Sequence, residues 1–159
     1  MNEQATPRGG WLLKTSAILW GIWGVVHILA GVFTLKLLAE GKTAEAIHGI
    51  TAKVELATLQ MDYPAALSAL LSQHGFNLLW AGLATTLAAP FVWRRHNLAV
   101  TIAVIVGGLI DLGYFWFIDL GGYATPPGPL MTYICAAAIV TVLIGAYRGG
   151  HWPATTVGE

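Results

Sequence analysis

Charged residues are scarce in this chain. They make up 10% of its 159 residues, whereas 56% are hydrophobic. A soluble domain usually carries about 25% charged residues, because most of its surface faces water. The eight basic and eight acidic residues cancel, so there is no basic excess to attract nucleic acid and no acidic solvating tail. The composition therefore argues against a soluble domain and a nucleic-acid partner, and it favours membrane lipid as the surroundings.

Cysteine is almost absent as well. The single cysteine, Cys135, lies within an apolar run. One cysteine cannot form a disulfide within the chain, and it cannot supply a CxxC redox or zinc motif. We interpret Cys135 as a small packing residue.

Long apolar runs, in contrast, are abundant. Four of them, at about 11–38, 65–93, 98–118 and 130–147, reach the roughly 20 residues that a membrane-spanning helix needs. Backbone groups in lipid must form hydrogen bonds within their own segment, so these runs are predicted to be helices. The first run is too long for a signal peptide and contains a histidine. The sequence thus predicts an all-α, integral membrane four-transmembrane-helix bundle that forms a single domain over residues 1–159.

The distribution of basic residues predicts the orientation of the bundle. Cytoplasmic flanks of membrane spans are enriched in lysine and arginine. The flanks on one side hold three lysines diluted by acidic residues, whereas the flanks on the other side hold five basic residues. Both termini are therefore predicted to lie on the cytoplasmic side, with a bacterial inner membrane as the expected location. These five basic residues are Arg8, Lys14, Arg94, Arg95 and Arg148.

The two outer loops are predicted to differ in structure. Apolar residues between positions 43 and 61 recur at helical spacing, which predicts a helical segment lying at the membrane interface. Pro64 would separate this segment from the second span. The other loop, "DLGGYATPPGPL", is rich in glycine and proline and is expected to be a turn at the rim of a pocket.

Three ionisable residues interrupt the apolar spans: His27, His74 and Asp111. Counted at 1.5 Å per residue, His27 and Asp111 lie about 20 and 22 Å from the inner side, and His74 lies about 15 Å below the outer side. All three levels fall in the outer half of a core about 30 Å thick. Ionisable residues at this depth are costly and mark functional sites. We interpret them as the catalytic or proton-transferring centre of an outer-half pocket.

Four further residues are predicted to contact whatever occupies this pocket. Gly24 and Gly31 lie on the same helix face as His27, and glycines admit a backbone or a flat ligand at close range. Asn77 follows His74 by three positions, and Tyr114 follows Asp111 by three. The pocket is therefore expected to have small, polar and aromatic walls.

Several functions remain open at this point. The pocket could bind a lipophilic small molecule, with or without acid–base chemistry on a lipid-like substrate. His27 and His74 could ligate haem b, or the two histidines and Asp111 could hold a single metal ion. The polar residues could also merely stabilise an accessory subunit of a larger membrane complex or a homo-oligomer. Solute transport is less favoured, because neither a broken span nor an inverted repeat is visible.

Overall fold

The chain is helical wherever its structure is described. A computed structural model describes residues 9–126 and 128–149, and all regular secondary structure in them is helical. Four helices are long and apolar enough to span a membrane, which confirms the four predicted spans to within two residues at each end and indicates an integral membrane protein. Arg8, Pro127 and the tail after Gly149 lie outside the described residues. The helices are α1 (Gly10–Ala39), α2 (Thr43–Ile50), α3 (Ala65–Trp93), α4 (Asn97–Asp119) and α5 (Gly128–Arg148), with a short 3₁₀ turn at Leu56–Leu59.

Local sequence explains where the long helices begin and end. After α1, Gly41 adopts a left-handed conformation with φ of 74°, which ends the helix and lets Lys42 N–H donate to the carbonyl of Leu37 over 2.8 Å. Pro64 is extended and directly precedes α3. At the other end of α3, Arg95 is left-handed with φ of 66°, so that α4 can start two residues later.

Helix α4 is not a regular α-helix throughout. The turns Ala103–Gly107 and Phe115–Asp119 are π-helical, and the α-helical stretch Gly108–Tyr114 lies between them. Such π-turns are rare and frequently occur at functional sites. The stretch between them carries Asp111.

Helices α1 and α3 are held together by two pairs of glycines. A Cβ atom on Gly82 would lie 2.6 Å from the carbonyl oxygen of Gly24, and one on Gly31 would lie 2.6 Å from that of Gly75. The glycines are seven residues apart on each helix and pair in antiparallel order. Small residues let the backbones of membrane helices approach closely, so this spacing keeps α1 and α3 in contact along their length.

The helices have a packed interior and an apolar exterior. Trp20 and Trp23 are fully buried between the four spans, and a core of mostly small side chains surrounds them. Leu29, Leu87 and Leu109 are each more than 60% exposed on the outside of their helices. A long helix that is apolar on all sides is typical of a membrane span, because its outer face contacts lipid.

The predicted interfacial helix over residues 43–61 is only partly formed, and this is a correction. Helix α2 ends at Ile50, and the chain then turns through residues 51–55 before the 3₁₀ turn. The hydroxyl of Thr51 donates to the carbonyl of Ile47 over 2.9 Å, and the N–H of Val54 donates to the carbonyl of Thr51 over 2.8 Å. These local hydrogen bonds compete with helix continuation, which a pattern of apolar residues does not reveal.

Candidate functional site

A cavity of about 280 Å³ lies at the end of the bundle where α1 ends and α3 begins. We call it the loop cavity, because both long interhelical loops contribute to its wall together with all four spans. Most of its lining is apolar. The lining residues are Val26, His27, Ala30, Thr34, Gly49, Ile50, Ala52, His74, Leu78, Asp111, Tyr114, Thr125, Pro126, Gly128 and Met131.

The loop cavity brings together four of the seven residues that the sequence singled out. His27 from α1, His74 from α3, and Asp111 and Tyr114 from α4 all line it. Asp111 is the most buried of the four, with 4% of its surface exposed. Three separate spans thus place ionisable side chains on the wall of a single cavity.

The other three predicted contact residues point elsewhere. Gly24 and Gly31 face α3 in the glycine pairs described above, so they serve backbone contact rather than the cavity. The side-chain oxygen of Asn77 accepts a hydrogen bond from the indole N–H of Trp80 over 3.1 Å, and Asn77 does not line the cavity. Sequence spacing correctly indicates a shared helix face, but it does not identify which neighbour covers that face.

The hydrogen bonding of His27 indicates which tautomer its neutral ring adopts. Nδ1 lies 2.8 Å from the backbone carbonyl oxygen of Trp23, one helical turn earlier. A carbonyl oxygen can only accept, so the proton of the neutral imidazole is on Nδ1. The lone pair is then on Nε2, which is free to accept a proton or bind a ligand. The ring also stacks on the indole of Trp23, with centroids 3.6 Å apart and planes inclined by 21°.

Asp111 is held by the same tryptophan. The indole N–H of Trp23 donates to Oδ1 of Asp111 over 3.1 Å, across the boundary between α1 and α4. The buried thiol of Cys135 on α5 is another close neighbour of this carboxyl group. A carboxyl group buried among apolar spans needs such partners, because leaving it unpaired is costly.

Trp23 is the residue of this candidate site that sequence reasoning undervalued. In the absence of a structure, a tryptophan within a span is most simply interpreted as packing. The available signal was its position four residues before His27, which places both rings on one face of α1. Its link to Asp111 depends on how α4 packs and has no signal in the sequence.

The outer wall of the loop cavity is formed by the two loops. Gly49, Ile50 and Ala52 come from the end of α2 and the turn after it, and Thr125 and Pro126 come from the loop between α4 and α5. The backbone N–H of Lys53 donates to the carbonyl of Tyr123 over 3.0 Å and ties the two loops together. The two joined loops therefore form one wall of the cavity.

The ligand set needed for a bare metal site is not assembled. Within residues 9–126 and 128–149, no three histidine, cysteine, aspartate or glutamate side chains are grouped closely enough to hold a metal ion. His27, His74 and Asp111 share the cavity wall, but they do not converge on one point. The structure thus does not support the three-residue metal site considered from the sequence.

Comparisons with protein-family models, curated proteins and solved structures find no match to this chain. The class of this protein is therefore assigned from its own structure. The four apolar helices define an integral membrane protein built as a helical bundle, with a polar-centred cavity near one end.

Proposed function

We propose that the loop cavity binds a lipophilic small molecule, and that His27, His74 and Asp111 hold its polar group or exchange protons with it. One observation carries this proposal. His27 has its Nδ1 proton committed to a backbone carbonyl and its Nε2 free, within a cavity that also contains a second histidine and a buried carboxyl group. A histidine needed only for packing has no reason to lie on the wall of a cavity that two other ionisable residues also line.

The size and composition of the cavity support a small apolar ligand. Ligand pockets typically enclose about 300–1,000 Å³ and have mostly apolar walls with a few polar groups that orient the ligand. The loop cavity is close to the lower limit at about 280 Å³, and Val26, Leu78 and Met131 contribute apolar surface to it. These dimensions favour a compact molecule or one end of a longer lipid.

The polar groups also favour acid–base chemistry on such a ligand. The unprotonated nitrogen of a neutral imidazole can accept a proton from a ligand, and a carboxyl group on the same wall can donate or receive one. Trp23 touches both His27 and Asp111 and so fixes their relative positions. Proton abstraction at one atom of the ligand and proton delivery at another would require this kind of fixed pair.

A second candidate function is haem binding between His27 and His74. The observation that favours it is the free Nε2 of His27 in a cavity that His74 also lines. Axial histidines on two helices are a common form of haem ligation. The third candidate, an accessory subunit of a larger membrane complex, assigns the same polar residues to stabilising the bundle.

The deciding experiment analyses the full chain purified in mild detergent. Absorption spectra are recorded, and bound organic molecules are then extracted and identified by mass spectrometry. We compare the wild type with H27Q, H74Q and the control H96Q, which alters an exposed histidine at the opposite end of the bundle. Circular dichroism verifies that each variant is folded.

The proposal predicts one class of lipophilic molecule at near-stoichiometric amounts in the wild type and in H96Q, and its loss in H27Q or H74Q. A Soret band lost in both cavity variants would replace the proposal with haem binding. Retention of the same molecules by all four proteins would contradict a role of the histidines. Copurification of a stoichiometric partner protein, together with an empty loop cavity in this chain, would instead favour the accessory-subunit hypothesis.

We also propose that both termini face the cytoplasm of a bacterial inner membrane. Among the described residues, Lys14, Arg94, Arg95 and Arg148 flank the spans at the end opposite the loop cavity, and the positive-inside rule assigns that end to the cytoplasm. Reporter fusions test the orientation: a C-terminal fusion should be active only with a reporter that works in the cytoplasm. Activity of a periplasmic reporter at the C-terminus would show that the bundle has the opposite orientation.

A further inference from the structure

An open groove separates α1 from α3 at the end of the bundle opposite the loop cavity. Its volume is about 450 Å³, and its lining residues are Ala17, Ile18, Ala89, Pro90, Trp93 and Arg94. The floor is made by the small, buried side chains of Ala17 and Ala89, and the exposed side chains of Ile18 and Trp93 form the edges. The groove is therefore an apolar slot on the surface that faces lipid.

Two cations lie at the mouth of this groove. Arg94 lines the groove itself, at the end of α3. The Nζ atom of Lys14 lies 5.3 Å from the centre of the Trp93 ring, within range of a cation–π contact. Positive charge is thus concentrated where the apolar slot meets the end of the bundle.

Among the described residues, no acidic side chain belongs to this end of the bundle. The acidic residues in this part of the chain all belong to the opposite half of the bundle: Glu40, Glu45, Glu55, Asp62, Asp111 and Asp119. The two ion pairs in the same part of the chain, of Lys36 and Lys42 with Glu40, are there as well. No acidic side chain of the described residues at this end therefore balances Lys14 and Arg94, and at a membrane surface anionic lipid headgroups can supply that charge.

We infer that this groove is a binding site for an anionic phospholipid. One acyl chain lies along Ala17, Ala89 and the edge formed by Ile18, while the phosphate contacts Arg94 and Lys14. The apolar slot explains why a lipid binds here rather than a free anion, and the two cations at its mouth explain why an anionic headgroup is preferred to a zwitterionic one. The site is independent of the loop cavity and of the function proposed for it.

The test is a lipid titration of the full chain in non-ionic detergent, followed by native mass spectrometry. The probes are phosphatidylglycerol and phosphatidylcholine with identical acyl chains. We expect tighter binding of phosphatidylglycerol, and R94Q should weaken that binding about fivefold, as expected for one basic residue near an anionic headgroup. The matched control is R148Q, which removes one charge from the same end but lies outside the groove and should have little effect.

Three results would overturn the inference. If R94Q and R148Q weaken phosphatidylglycerol binding equally, the lipid is attracted by the whole basic end of the bundle and not by this groove. Equal affinity for both lipids in the wild type would show that the groove binds any acyl chain. Displacement of phosphatidylglycerol by millimolar inorganic phosphate would show a site for free anions. If R94Q does not fold, K14Q tests the other cation in the same way.

Discussion

The indole N–H of Trp23 donates a hydrogen bond to Oδ1 of Asp111 over 3.1 Å and so links α1 to α4 beside the loop cavity. The same indole stacks on His27, and the backbone carbonyl of Trp23 binds the Nδ1 proton of that histidine. Trp23 is fully buried and does not itself line the cavity. A residue behind the cavity wall thus positions both an acidic and a basic group on that wall.

Replacing Trp23 by phenylalanine should therefore destabilise the bundle. The variant W23F keeps an aromatic ring next to His27 but removes the donor to Asp111 and leaves a buried carboxyl group with one partner fewer. We expect a loss of at least about 1–2 kcal/mol in the free energy of unfolding, the range for such hydrogen bonds and for unsatisfied buried groups, because the smaller ring also leaves space in the core. Unfolding in a denaturing detergent, followed by circular dichroism, measures it.

W80F is the matched control for this prediction. The indole N–H of Trp80 also donates to a side-chain oxygen over 3.1 Å, but the acceptor is Asn77 and the bond is exposed. W80F removes a bond of the same type on the outer face of α3 without affecting Asp111, so its effect is the baseline for W23F, and W23F should be the more destabilising of the two. Equal destabilisation by the two variants would show that the hydrogen bond to Asp111 contributes no more to stability than the exposed one to Asn77.

The glycine pairs between α1 and α3 give a second prediction. In G31A the new methyl group would lie 2.6 Å from both the carbonyl oxygen of Gly75 and the backbone nitrogen of Leu79, so the helices must separate. Overpacking of this kind costs about 1–3 kcal/mol. The control is G21A on the same helix, where a Cβ has no neighbour within 4 Å. The control should be neutral or more stable, because alanine favours helix by up to about 1 kcal/mol over glycine.

The same unfolding assay distinguishes these two glycine variants. If G31A is as stable as G21A, the close approach of α1 and α3 at this level is absent in the membrane. Loss of stability in G31A alone would support the assignment of Gly31 to helix packing rather than to ligand contact.

The spans could be predicted from sequence because their signal is long and physically simple. Twenty or more apolar residues must form a helix in lipid, whatever their neighbours, so the bounds of α1 and α3 follow almost to the residue. That His27, His74 and Asp111 line one cavity could also be predicted, because depth can be counted along a straight helix at a fixed rise per residue.

Other features could not be predicted, because they depend on contacts between helices. The rotation of α1 decides that Gly24 and Gly31 face α3 while His27 faces the cavity, although all three share a broad helix face. The end of α2 at Ile50 depends on hydrogen bonds made by Thr51 and Val54. Neither the two π-turns of α4 nor the bond from Lys53 to Tyr123 leaves a recognisable pattern in the sequence.

That last bond leads to a prediction about access to the loop cavity. In K53P the backbone N–H that donates to the carbonyl of Tyr123 is absent, so the two loops lose their direct link. We expect faster amide hydrogen exchange over residues 49–54 and 121–126, measured by mass spectrometry. The control K53A keeps the N–H and removes only an exposed side chain, so its exchange should match that of the wild type. Similar exchange in K53P would mean that the bond does not hold the loops together.

The tautomer of His27 provides the most direct test of the chemistry assigned to the cavity. Because Nδ1 donates to the carbonyl of Trp23, ¹⁵N NMR of histidine-labelled protein should show a protonated Nδ1 and an unprotonated Nε2 for this ring. His96, which is exposed at the opposite end of the bundle, provides a reference histidine signal from outside the cavity. The H27Q variant assigns the signal. A ring protonated only at Nε2 would leave no lone pair on the nitrogen expected to act as a base or ligand, and it would contradict both the acid–base and the haem hypotheses for His27.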